Sequence, residues 1–113
     1  MESKELRFTL KKNDKIELEQ KATYQQDKNC LLFELNGFQH QLDLNQIIFE
    51  RKNEEYSFIL DVKMKTAQLN MFNLNKVFDL EVESTDYLIE ENNININYQL
   101  KTEDEISTII IKM

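Results

Sequence analysis

The sequence predicts an all-β fold, a small antiparallel meander β-barrel of about eight to ten strands, from three observations. In most segments apolar residues recur at every second position, which is the pattern of a strand with one buried face. Polar turns separate these segments at intervals of roughly 8–12 residues. No segment shows a sustained apolar stripe of helical period, which disfavours long helices. Closure of the sheet removes exposed edges, so a barrel is preferred and a β-sandwich is the alternative.

The first half of the chain predicts five strands, at residues 6–11, 16–24, 31–35, 38–44 and 47–51. Asn36-Gly37 is a dipeptide typical of a type I′ hairpin turn. Gly37 is the single glycine and proline is absent, so the other turns must use Asn or Asp at positive φ. Cys30 is expected to be a small buried side chain at the start of the third strand. Ile47 is expected to begin the fifth.

The second half predicts further strands at residues 56–62, 67–72, 76–83, 94–101 and 106–113. The clearest alternation places Ile94, Ile96, Tyr98 and Leu100 on one face. Residues 102–105 form a polar turn, and residues 109–111 are isoleucines that would be apolar on both faces of a final strand. Residues 84–93 fit either a strand or a short helical turn.

Length and charge limit the classes of partner. The 113 residues suit one domain, 1–113, and 14 basic against 21 acidic residues give a net charge of −7. This charge disfavours both nucleic acid and anionic membrane surfaces, because each is bound through Lys and Arg. Cys30 is the only cysteine, which excludes an intrachain disulfide and favours a reducing compartment. Residues 1–5 do not resemble a signal peptide. The cytoplasm is therefore expected.

The chain carries no recognisable catalytic motif. One histidine and one cysteine do not make a structural zinc site, the acidic turn at 103–105 lacks the spacing and glycine of a calcium loop, and a single glycine excludes a glycine-rich phosphate loop. We therefore expect no metal and no cofactor. Cys30 with His40 as its base would need a third, orienting group that the sequence does not supply. A non-enzymatic protein is favoured.

Two polar residues stand out because the alternation points them into the barrel. His40 lies between Phe38 and Leu42, and Arg51 follows Phe49 on the same face. Such groups could hold an anionic head group of a small molecule against apolar walls. The expected aromatic wall consists of Phe8, Tyr24, Phe33, Phe58, Phe78 and Tyr98. Plain core packing is the competing interpretation, since small barrels are often filled by their own side chains.

Three segments carry a resemblance to a known family: KIELEQKATY at 15–24, IFER at 48–51 and NININYQL at 93–100. Their order along the chain resembles the YwiB-like family of small bacterial proteins of unknown function. The resemblance implies a calycin-like, lipocalin-like β-barrel and implies no activity. Lys52 and Asn53 stand where the family tends to carry glycine after the arginine.

Three functional hypotheses follow. The first is a cytoplasmic barrel that binds a small apolar or amphipathic ligand inside, through His40, Arg51 and the aromatic wall. The second is a protein-interaction or accessory module that uses a barrel face or an edge strand to bind a protein partner or a second copy, with no small-molecule ligand. The third, and least favoured, is an enzyme with a carboxylate pair or His40 in a polar cleft.

Overall fold

The computed structural model describes residues 4–113 and confirms the all-β prediction: its strands form a closed ten-strand antiparallel barrel. The strands are β1 (Lys4–Lys12), β2 (Lys15–Asp27), β3 (Cys30–Leu35), β4 (Phe38–Asp43), β5 (Ile48–Lys52), β6 (Tyr56–Asp61), β7 (Thr66–Met71), β8 (Lys76–Glu90), β9 (Asn93–Leu100) and β10 (Ser107–Lys112). A single 3-10 turn, Phe72–Leu74, precedes β8. Residues 1–3 lie outside the described residues. They belong to the segment 1–5, which does not resemble a signal peptide in sequence.

The barrel is a meander that closes between its first and last strands. Each strand pairs with the next one along the chain, and β1 also pairs with β10, with Phe8 opposite Ile111 and Leu10 opposite Ile109. Because neighbouring strands run in opposite directions, the turns fall into two sets. We call the end with turns 28–29, 44–47, 62–65 and 91–92 the base. The mouth carries the turns 13–14, 36–37, 53–55, 72–75 and 101–106.

The period-two alternation correctly predicted the core. The buried apolar side chains come from the expected positions of nearly every strand, among them Leu6, Phe8, Leu31, Phe33, Leu42, Phe49, Phe58, Leu60, Ile94, Ile96, Ile109 and Ile111. Ile110, which points outward on β10, is only partly buried. The uncertain segment 84–90 is strand: β8 continues to Glu90 and pairs with β9 along its full second half.

Two expectations near strand starts are wrong. Cys30 is only partly buried, because Leu31 and Phe33 take the inward positions of β3 and leave Cys30 on the outward face. Ile47 lies in the turn before β5 rather than in the strand, with φ at 56°, so the expectation that the other turns use Asn or Asp at positive φ is also wrong at this position. Its side chain is nevertheless buried in the base, and its carbonyl accepts a hydrogen bond from the Val62 amide at 3.0 Å.

The Asn36-Gly37 turn has the backbone that the dipeptide predicts. Both residues have positive φ, at 53° and 81°. A Cβ added to Gly37 would meet no heavy atom within 4 Å, so the cost of a side chain there is purely conformational. We expect Gly37→Ala to lower the free energy of unfolding by about 1 kcal/mol, measured by urea denaturation. An unchanged midpoint would contradict the assigned turn. Asn36→Gly is the near-neutral control, because glycine adopts the positive φ of that position without strain.

Candidate functional site

His40 belongs to a packed group of rings inside the barrel. Its imidazole stacks on Phe33 with ring centroids 4.8 Å apart, and the rings of Phe8 and Phe49 lie 5.3 Å and 5.9 Å away. We call these four residues the aromatic cluster. His40 is 4% exposed, so the prediction that it points inward is confirmed.

The imidazole of His40 is neutral at physiological pH. Its Nδ1 lies 3.2 Å from the carbonyl oxygen of Phe38, and because a carbonyl only accepts, Nδ1 carries the proton and donates. Burial, with the nearby positive charge of Arg51 adding to it, lowers the pKa of His40 from 6.5 to about 4. His40 is thus a core group and supplies no positive charge to a ligand.

Arg51 sits directly opposite His40 in the β4–β5 ladder, but its head group lies in a different environment. The guanidinium carbon is 5.2 Å above the ring centre of Phe38, and one terminal nitrogen donates to the Tyr56 hydroxyl at 3.4 Å. Its Nε atom is buried and has no hydrogen-bond partner. Among residues 4–113, no carboxylate forms an ion pair with Arg51.

A cavity of about 330 Å³ opens at the mouth beside Arg51. Its apolar lining consists of Leu10, Phe58, Leu69, Leu80 and Leu100. Its polar lining consists of Lys12, Arg51, Tyr98, Glu103 and Ser107. The volume lies at the small end of the range of roughly 300–1,000 Å³ found for small-molecule pockets. Apolar walls with a few convergent polar groups are the usual composition of such pockets.

Tyr98 and Ser107 face each other across the β9–β10 ladder at this cavity. Burial raises the pKa of Tyr98, while a hydrogen bond with Ser107 and the charge of Arg51 act in the opposite direction. The phenol therefore stays protonated at neutral pH and can donate. Its ring also packs against Phe58 at 6.0 Å, which fixes its orientation. Arg51, Tyr98 and Ser107 thus converge on one apolar space.

Other depressions among the described residues are larger, at about 390–490 Å³. One is lined by Glu34, Gln39, Lys52 and the 53–55 turn. A second is bordered largely by polar side chains of β2 to β5, together with Phe33 and His40. None of these depressions is lined by a charged side chain that has a buried, unpartnered atom. The mouth cavity is therefore the strongest candidate site among the described residues.

The predicted site residues separate into three groups. Arg51, Phe58 and Tyr98 line the mouth cavity. Phe8 and Phe33 pack with His40 in the aromatic cluster, and Tyr24 is partly buried against the core beside Phe33; none of these four lines the cavity. The expectation that Phe78 belongs to the inner wall is wrong. It is 42% exposed, since it lies near the start of β8 at the mouth, where no layer of the core covers it.

Three polar lining residues were missed from the sequence: Lys12, Glu103 and Ser107. Lys12 ends β1, and Glu103 lies in the 101–106 turn that leads into Ser107 at the start of β10. Each is an ordinary polar residue at a strand end. Only the closure of β1 against β10 brings the three together at the mouth, and no local pattern carries that information.

The pairing of Cys30 with His40 as a nucleophile and base does not form, because Cys30 faces outward while His40 faces inward on the neighbouring strand. Within residues 4–113, no three His, Cys, Asp or Glu side chains are grouped as a metal ion would require.

The described chain also contains no helix long and apolar enough to cross a bilayer. Comparison with family models, curated proteins and solved structures gave no significant match.

Proposed function

We propose that this barrel is a non-enzymatic binding protein that holds a small amphipathic ligand in its mouth cavity. The observation that carries the proposal is Arg51, a partly buried guanidinium with an unpartnered Nε and no carboxylate partner among the described residues, beside apolar walls. Charged groups removed from water are stable when they are paired or hydrogen-bonded. A ligand with a polar, anionic head and an apolar body would satisfy both the guanidinium and the walls.

Ligand binding is tested by native mass spectrometry and by thermal denaturation. Octanoate and decanoate are suitable probes, because each joins an anionic head to an apolar chain. At a ligand concentration of about one hundred times Kd, binding stabilises the folded state by about 2.7 kcal/mol, which would raise Tm by roughly 5–10 °C. A protein whose Tm and mass are unchanged by every amphipathic probe would contradict the proposal.

Two tryptophan variants on β8 locate the site. Leu80 lines the cavity, whereas Leu88 is exposed on the same strand. We expect Leu80→Trp to fill the cavity and abolish the thermal shift, while Leu88→Trp, the same change of side chain, leaves the shift intact. Circular dichroism confirms that both variants fold. If both variants lose binding equally, or if neither loses it, the ligand binds elsewhere.

A protein-interaction module is the second candidate, and the edge of β8 favours it. β8 pairs with β7 only through residues 76–81, so its second half has a ladder with β9 on one side alone among the described strands. Tyr87 and Leu88 are exposed on this free edge. Unpaired strand edges with apolar side chains are sites for strand addition by a partner.

A proline placed in the free edge of β8 tests that second candidate. Proline removes a backbone donor and blocks strand addition. The Tyr87 amide faces the free edge, where it donates to the Asp86 carboxylate at 2.9 Å, so a proline at this position leaves the ladder with β9 intact. If the edge binds a second copy, light scattering of the wild type shows a dimer and Tyr87→Pro shows a monomer. A monomeric wild type that also captures no protein partner would count against this function.

Membership of the YwiB-like family and a cytoplasmic location stay predictions from the sequence.

A further inference from the structure

The charged side chains at the mouth cavity suggest which head group the ligand carries. Lys12 and Arg51 are positive and Glu103 is negative, and these are the only charged groups of the described chain in the lining. They leave one net positive charge. His40, beside Arg51 in the ladder, is neutral, and the Tyr98 phenol is protonated at neutral pH. One negative charge on a ligand would neutralise the site.

Glu103 also acts against a second negative charge. Its backbone is held in the 101–106 turn, where the Glu103 amide donates to the Leu100 carbonyl at 3.0 Å and the Glu103 carbonyl accepts from the Gln99 side chain at 3.1 Å. A dianionic head group at Arg51 would lie in the same small cavity as this carboxylate. Like charges in one small cavity repel each other.

The shape of the donors favours a planar head group. A guanidinium presents parallel N–H bonds that match the two oxygens of a carboxylate. The phenol of Tyr98, whose oxygen accepts a hydrogen bond from the Ser107 hydroxyl, supplies a further donor to the cavity. The remaining lining is leucine and phenylalanine, which suits an alkyl or aromatic body.

We infer, building on the proposed function, that the ligand is a monocarboxylate with an apolar body, bound with its head group between Arg51 and the Tyr98–Ser107 pair. Selection against dianions comes from Glu103. The amide of the same acid has no negative charge on its head group. The phosphate monoester of the same alkyl chain carries nearly two negative charges. Both should bind more weakly than the acid.

Calorimetric titration with octanoate, octanamide and octyl phosphate tests this inference at about pH 8, where an alkyl phosphate carries nearly two negative charges. We expect octanoate to bind at least roughly tenfold more tightly than octanamide, the usual contribution of a charge-assisted hydrogen bond. Octyl phosphate should also bind more weakly than octanoate. In Glu103→Gln, the affinity for octyl phosphate should rise relative to that for octanoate.

Variants at Arg51 identify the anchor. Arg51→Met should remove the preference for octanoate over octanamide while octanamide still binds, and Arg51→Lys should retain part of it. Lys52→Met is the matched control, since Lys52 is exposed and its loss changes the net charge equally. If octanamide or octyl phosphate binds as tightly as octanoate, or Lys52→Met behaves like Arg51→Met, the inference fails and ligand binding stands. If no member of the series binds, both fail.

Discussion

Acidification from about pH 6.5 to about pH 4 is expected to remove roughly 3 kcal/mol of folding stability through His40 alone. Burial holds the pKa of the folded-state imidazole at about 4, below its ordinary value of 6.5. Between these values the unfolded chain takes up a proton that the folded chain does not. Stability is therefore fully present above about pH 6.5 and falls as the pH drops through this window.

The effect is measured by urea denaturation at a series of pH values in the wild type and in His40→Phe. Phenylalanine keeps a ring against Phe8 and Phe33 and cannot be protonated. His40 is the only histidine, so no other imidazole titrates in the window, and the carboxylates contribute equally to both proteins. The difference between the two stability curves should have a slope of about 1.4 kcal/mol per pH unit. Parallel curves would show that the imidazole of His40 is solvated in the folded state.

Replacing Leu60 with alanine is expected to lower the free energy of unfolding by about 2–5 kcal/mol. Leu60 is completely buried in β6, where it lies opposite Phe49 on one side and Ala67 on the other. The smaller side chain loses apolar contacts and leaves a cavity that the surrounding strands cannot close.

Ile59→Ala is the matched control for Leu60→Ala. Ile59 is the preceding residue of β6 and points outward between Glu50 and Gln68, so its truncation should cost less than about 1 kcal/mol. The pair also tests strand register, because a shift by one residue would exchange the inward and outward faces. A larger loss for Ile59→Ala than for Leu60→Ala would contradict the structure of β6.

The strands of the barrel could be predicted because the physical cause of their alternation is local. A half-buried strand must alternate apolar and polar side chains, and the run from Ile94 to Leu100 does so without interruption. The Asn36-Gly37 turn was predictable for the same reason, since few residues adopt positive φ easily. The period-two alternation alone predicted that Arg51 lies on the inner face of the sheet. Arg51 is the residue on which the candidate site depends.

Features that depend on neighbouring strands could not be predicted. The ladder between β1 and β2 shifts register between Leu10 and Lys11, which leaves Ile16 exposed although it continues an apolar alternation. Phe78 shares the parity of Leu80 but lies beyond the layer of side chains that would cover it. The period-two alternation predicts which face of the sheet a residue occupies. Whether that face is covered depends on how far the neighbouring strands extend.

The different roles of His40 and Arg51 were also beyond the sequence. Both point inward and they lie opposite each other in one ladder, so the alternation treats them alike. The rings of Phe8, Phe33 and Phe49 enclose His40 and keep it neutral. Arg51 has a longer side chain, which extends over Phe38 towards Tyr56 and the cavity.

Nuclear magnetic resonance of the isotope-labelled protein during titration with octanoate tests the central claim most directly. That claim is that the mouth cavity, with Arg51 in its wall, is a binding site. The resonance of the Arg51 Nε–H group should shift on addition of octanoate, with intermolecular contacts from the octanoate chain to the methyl groups of Leu69, Leu80 and Leu100. Shifts confined to residues of the outer faces, or no shifts at all, would contradict it.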